Sequence, residues 1–365
     1  MEKKKNRLWL NLIVVGLILV IMLVIILVNN DATAIFKAIK QADAKYLLIA
    51  FAFILLFILF TAFSLMQLVR LKKKIKVIDS FNIANLANFY NGITPFASGG
   101  QPFQVYYYTK VNVKTDESTS VLMMNFIIHQ FVSVILSVIA ICLYYKDLNA
   151  ITNNNVAFKV AVWIGLSINV IILMLLIFVS FSKTVKKFFM WLIKIVFSIK
   201  FLRKKREAMI QKTNDYFDKS QESFKELFHH IPTLLLSVLY KVISLFAYFI
   251  VPYFIFKALH VNVGAKDVMY IIWMTAFAFV IMSFMPTPGS SGGAEWAFKE
   301  VFALSFVGIT DAITASAILL WRFFTYYLVM ILGAISAICV KRRKEDEEIC
   351  ELESSQTATY PKSME

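Results

Sequence analysis

The chain has 365 residues, 59% of them hydrophobic, and a formal net charge of +15. Soluble domains average about 45–50% apolar residues, so this composition excludes an ordinary globular domain and points to a polytopic membrane protein. The apolar excess comes in blocks: 8–28, 46–69, 121–143, 158–181, 233–256 and 312–340. A helix needs about 20 such residues to cross the hydrocarbon, which predicts an all-α fold with about six spanning helices.

In chain order, MEKKKNR precedes the first block, which is too long for a signal-peptide core and lacks a small-residue cleavage site after it. It reads as a retained anchor. Basic residues cluster before the first span (Lys3, Lys4, Lys5, Arg7), after the second (Arg70, Lys72, Lys73, Lys74, Lys76), through 183–206, and after the last (Lys341, Arg342, Arg343, Lys344). The loops 29–45, 144–157 and 257–267 are poorer in Lys and Arg. By the positive-inside rule both termini face the cytoplasm of a multi-pass cell-membrane protein. Residues 182–232 form an amphipathic cytoplasmic connector: an interfacial helix over 188–205, then a solvated helix over 206–230. Residues 1–340 make the membrane domain, and 341–365 a disordered tail. Cys142, Cys339 and Cys350 are isolated and suggest neither disulfides nor a metal site.

Two regions must return to the side they came from. Given the charge pattern, 80–108 enters and leaves from the cytoplasm and 268–306 from the outside. Each is broken in the middle, by TPFASGGQ (Thr94 to Gln101) and by TPGSSGGA (Thr287 to Ala294), both of the form T-P-x-x-S-G-G. Their starts lie 193 residues apart (287 − 94). Span, hairpin, span in each half, with the second half upside down, is an inverted repeat of two re-entrant hairpins, an architecture used by transporters. Two full crossings over 268–306 are the alternative.

Each loop feeds a short helix whose N-terminal amides and dipole favour an anion. Gly99, Gly100, Gly292 and Gly293 permit close approach. Thr94, Ser98, Thr287 and Ser291 add hydroxyls, so a phosphate fits such a nest. The glycines alternatively serve helix packing alone. Arg322, inside the last span, and Glu295, after the second glycine pair, are expected to form or share a charged centre, functional or structural. Gln101 and Gln104 flank the first tip as candidate headgroup contacts. His129, Gln130 and Lys241 are candidate cavity-lining residues; His129 alternatively bonds between helices, and Lys241 alternatively snorkels. No nucleotide loop, HExxH or nucleophile elbow occurs, and no metal or cofactor is expected.

NGITPFASGGQPFQVYY, MPTPGSSGGAEWAF and LLWRFFTYYLVMILG, in that order, resemble the membrane domain of lysylphosphatidylglycerol synthase/flippase proteins. The resemblance implies a flippase-like fold that moves an anionic or aminoacylated phospholipid, of the phosphatidylglycerol or lysylphosphatidylglycerol type, between leaflets. In two-part members the outcome is resistance to cationic antimicrobial peptides. Carried onto matching positions, the implied functional residues are Pro95, Gly99, Gly100, Gln101, Pro102, Pro288, Gly289, Gly292, Gly293, Glu295 and Arg322. Two-part members continue with a soluble domain that transfers lysine from lysyl-tRNA. This chain ends about 25 residues after the last span, so a phosphatidylglycerol lysyltransferase label is not expected to hold as a catalytic claim. Expected partners are membrane phospholipid and a separate lipid-modifying synthase. No nucleic acid is expected without a transfer activity, and self-association stays open. The alternative is an enzyme, or a membrane subunit, of lipid modification or glycolipid transfer.

Overall fold

The computed structural model describes residues 32–182, 184, 187–188, 190–191, 206–283, 285–303, 305–306 and 309–340. The expected first span over 8–28, most of the interfacial helix expected over 188–205, and the tail 341–365 lie outside them. Regular structure among the described residues is helical throughout. In chain order it comprises α1 (Ala32–Lys40), α2 (Ala44–Lys72), α3 (Val77–Gly92), α4 (Gly100–Lys110), α5 (Thr115–Leu143), α6 (Tyr145–Asn154), α7 (Val156–Phe181) and α8 (Arg206–His229). Then follow α9 (Ile231–Phe249), α10 (Val251–Ala258), α11 (Asp267–Met282), α12 (Gly293–Phe302) and α13 (Asp311–Val340).

Five of these rods are long and apolar enough to cross a membrane: α2, α5, α7, α9 continuing into α10, and α13. They coincide with the blocks expected at 46–69, 121–143, 158–181, 233–256 and 312–340. By contrast α3 and α11 have 16 residues each, about 24 Å of helix, short of the roughly 30 Å hydrocarbon thickness. Both end where the T-P-x-x-S-G-G segments begin. Short helices α4 and α12 then lead away from each break.

The helices meet along seams of small residues, as expected where no hydrophobic force drives association in lipid. Between α2 and α9, Ser64 donates to the Ser237 carbonyl (2.9 Å) and Ser237 returns the bond (3.2 Å). Ser244 donates to the Phe57 carbonyl (3.0 Å) and shares a hydroxyl contact with Thr61 (2.7 Å). As residue numbers rise on α2 they fall on α9, so the opening spans of the two halves run antiparallel.

The hairpins are exchanged between halves. On α3, Asn85 donates to Ser336 of α13 (2.9 Å). On α5, Ser137 donates to the Ala276 carbonyl of α11 (3.1 Å). Each hairpin's leading helix therefore lies against the closing span of the opposite half. The α8 connector is less solvated than its charge suggests. It buries Phe224 and Leu227 along α5, Ser120 donates to its Ser220 carbonyl (3.0 Å), and Glu226 pairs with the buried Lys72.

At the α3–α13 crossing a Cβ on Gly333 would meet the Phe89 nitrogen at 2.7 Å and the Asn85 oxygen at 2.9 Å, both rigid backbone. Gly333→Ala is therefore expected to destabilise the protein by about 1–3 kcal/mol. Gly264→Ala, whose nearest neighbour would lie at 3.7 Å, is expected to stay within about 0.5 kcal/mol. Thermal melts of the two variants in detergent check the difference.

Candidate functional site at the paired loops

The two broken segments adopt one backbone shape. Pro95–Ala97 and Pro288–Ser290 are single 3-10 turns offset by the same 193 positions (288 − 95). Phe96 has φ 54 and ψ 22; its counterpart Gly289 has φ 60 and ψ 20. Ala97 and its counterpart Ser290 follow at φ 49 and φ 57. Side chains with a Cβ enter this left-handed region at a cost of about 1–2 kcal/mol each, and such strain persists only where the surroundings over-determine it. The two turns touch each other.

The loops' own donors are occupied. In the first, Thr94 donates to the Tyr90 carbonyl (2.8 Å) and accepts from the Gly99 amide (2.9 Å). The Gly100 amide donates to Asn91 Oδ1 (2.7 Å). Ser98 and Ser291, counterparts in the repeat, each donate to the carbonyl of their turn's proline at 2.9 Å. Thr287 donates to the Ser291 carbonyl (2.7 Å), and the Gly292 amide to Glu295 Oε2 (2.6 Å). The Thr94, Ser98, Thr287 and Ser291 hydroxyls and the Gly99, Gly100 and Gly292 amides, expected in an open phosphate nest, are in this conformation closed by the chain's own caps.

Arg322 and Glu295 come together. Arg322 Nε lies 2.7 Å from Glu295 Oε1, with the side chains 3% and 13% exposed. The Nε–H does not point along that line, since both atoms are buried without an aligned hydrogen bond; the contact is a charge pair. The guanidinium is oriented instead by its Nη2, which donates to the Gly289 carbonyl (2.8 Å) and Ser291 Oγ (3.3 Å). Its face lies 4.5 Å from the centre of the Tyr326 ring. Arg322 thus ties the second loop to α13.

Tyr326 links this to the first loop. Its hydroxyl donates to the Gly92 carbonyl, the last of α3, at 2.9 Å. Its ring lies so close to Gly289 that a Cβ there would sit 2.2 Å from it. A π-helical turn over Phe323–Leu328 directly follows Arg322. Wider turns of this kind re-aim side chains, and here Arg322 and Tyr326 both reach the loops. Sequence reasoning missed Tyr326 and Asn91. The run of aromatics after Arg322 was the available signal for the first, and the asparagine nine residues before Gly100 for the second.

Other expected site residues fall elsewhere. Gln101, Pro95 and Ser98 are exposed, and Gly293 is buried against Met285. Gln104 is buried and donates to the Ile83 carbonyl (3.0 Å), so it clamps α4 to α3 rather than facing a headgroup. Gln130 donates to Asn169 of α7, which also donates to Ser283 (2.8 Å) at the end of α11. That amide network is a tie between helices. Lys241 does not snorkel; it is 3% exposed within the protein. His129 lies beside Phe279, with ring centres 6.2 Å apart.

Membrane-length helices packed with two helix–loop–helix segments of like turn geometry, one of them held by a buried ion pair, define a polytopic helical membrane protein. A family model described as the lysylphosphatidylglycerol synthase TM region matches residues 11–333. The chain belongs to that family, which places it in a membrane role in lysylphosphatidylglycerol-related lipid handling. A comparison with curated proteins returns no match.

The ion pair makes a double-mutant prediction. Breaking a buried pair from one side leaves an uncompensated charge, at about 3–5 kcal/mol, so Glu295→Gln and Arg322→Met are each expected to melt well below wild type. The double variant is expected to recover part of that loss, a positive coupling measurable as a cycle of melting free energies. Glycines in the loop are separable in the same way. Gly289→Ala meets the Tyr326 ring, whereas a Cβ on Gly292, also at positive φ, meets nothing within 4 Å. Gly289→Ala is expected to be the more damaging in a thermal melt.

Proposed function

We propose that the protein translocates an anionic or aminoacylated phospholipid, of the phosphatidylglycerol or lysylphosphatidylglycerol type, between the leaflets of the cell membrane. In this reading the two hairpins are re-entrant, both termini are cytoplasmic, and the headgroup passes between the loop tips while the acyl chains stay in the bilayer. The observation that carries it is the meeting of two loops of equal backbone shape, one from each half. Symmetric halves that meet at one point can open alternately to either side, as in inverted-repeat transporters.

The bond pattern of the loops supports a closed resting state. While the tips touch, their hydroxyls and the Gly99, Gly100 and Gly292 amides are satisfied within the chain. A headgroup competes for those donors only when the tips part, so translocation couples lipid entry to loop separation. Irregular backbone at membrane depth is tolerated where it is buried in protein, and the Arg322, Tyr326 and Asn91 bonds supply that shelter. The family description favours a second reading, a membrane part of a lipid-modifying synthase.

Leaflet exchange of labelled phosphatidylglycerol and its lysyl form in proteoliposomes tests the proposal. Wild type is expected to exchange at least one of them faster than protein-free vesicles. The double variant Glu295→Gln/Arg322→Met is expected to fall at least ~10-fold, equivalent to about 1.4 kcal/mol of barrier. Folded wild type that exchanges neither lipid would sink the proposal and favour the synthase-subunit reading.

A further inference from the structure

Among the described residues, Arg322 and Lys241 are buried well inside spanning helices, and they differ in what neutralises them. Arg322 has Glu295, the Gly289 carbonyl and the Tyr326 face. Lys241, on α9, has no hydrogen bond or ion pair among the described residues. The elements packed against α9 offer no carboxylate at its level. Helix α2 contains no Asp or Glu, α11 has only Asp267 in its first turn, and α5 has only Asp116 and Glu117 in its first turn. The α8 carboxylate Glu226 is paired with Lys72.

Polar groups on the neighbouring α5 lie near the depth of this lysine. Lys241 is ten residues from Ile231, at the start of α9, and Asn125 is ten residues from Thr115, at the start of the neighbouring α5. Both therefore lie about 15 Å along their helices. His129, one turn beyond Asn125, is within electrostatic reach of Lys241. Asn125 Oδ1 and Ser133 Oγ are buried without a partner, and 125, 129 and 133 share one face of α5.

The buried Arg322 has its carboxylate, whereas Lys241, on the span that opens the same half, has none. An uncompensated ammonium at membrane depth is costly, and it is relieved by an anion that brings several acceptor oxygens.

We infer that Lys241, with His129 and Asn125, forms a binding site for a phosphate group, distinct from the Arg322–Glu295 centre. This rests on the lipid-transport reading for its source, the phosphodiester of a phospholipid, since a lipid can deliver its phosphate through the bilayer with its acyl chains left in hydrocarbon. The donors suit the chemistry: an ammonium, an imidazole N–H and an amide NH2 face oxygens that only accept.

Melting temperatures of the full chain in a neutral detergent, titrated with phosphatidylglycerol, inorganic phosphate or diacylglycerol, test the site in wild type, Lys241→Met and Lys241→Arg. Phosphatidylglycerol but not diacylglycerol is expected to stabilise wild type. Lys241→Met is expected to raise its half-saturating concentration about ten-fold or more, and Lys241→Arg about two-fold or less. Without lipid, Lys241→Met is expected to melt no lower than wild type, because it removes a buried charge that has no partner. A Lys241 dependence seen with inorganic phosphate and not with the lipid supports the anion site and replaces the lipid source by a free anion. Unchanged half-saturation for both phosphates in Lys241→Met overturns the site. So does a lipid-free melt several degrees below wild type, which would make Lys241 a structural cation. Binding through Lys241 without leaflet exchange would instead remove the transport reading and leave the site standing.

Discussion

A guanidinium enclosed among spanning helices sets the terms for the structure around it. Arg322 is 2% exposed, and at such depth a cation persists only with compensation close by. Its own helix offers only the Tyr326 face, so further compensation comes from the second loop: a carboxylate at Glu295, a carbonyl at Gly289 and a hydroxyl at Ser291. Presenting these three groups together requires the chain to leave helical geometry between Met282 and Gly293. Gly289 at positive φ turns its carbonyl toward the cation and leaves space for the Tyr326 ring. Glu295 is held in turn by the Gly292 amide, so the charge pair and the start of α12 are one structure. Tyr326 carries the constraint across to the end of α3.

The halves repeat in shape more closely than in chemistry. Their turns match in backbone angles and in the serine-to-proline bond, yet the first loop is held by Thr94 and Asn91 from within its own hairpin. The second is held by the last span. Equal geometry is thus maintained by unequal bonds. The tip with the exposed Phe96, 65% exposed, is held from within its own hairpin and by Tyr326 at the end of α3, while the other tip is bonded to Arg322 of α13.

Much of this was legible in the chain itself. Spans follow from uninterrupted apolar length, because lipid leaves the backbone no alternative to helix. Hairpins follow from glycines and prolines that no helix interior tolerates well, and the common T-P-x-x-S-G-G pattern reports equal turns because the same residues meet the same steric limits. The pairing of Glu295 with Arg322 was anticipated from the cost of either charge alone. The connector was read less well: α8 shows mixed charge, yet Phe224 and Leu227 dock it on α5.

Composition, period and local chemistry thus determined that this is a helical membrane protein with two broken hairpins, since each of those depends on interactions within a few turns of chain. Tertiary structure alone decided which donors remain available. Gln104 and Gln130 look like headgroup contacts in sequence, and packing gives them to Ile83 and Asn169. The loop hydroxyls and glycine amides look open, and folding closes them on Tyr90, Pro95, Asn91 and Glu295. A side chain's partner is whichever group lies within about 3 Å after folding, and helices up to 251 positions apart in sequence supply those groups.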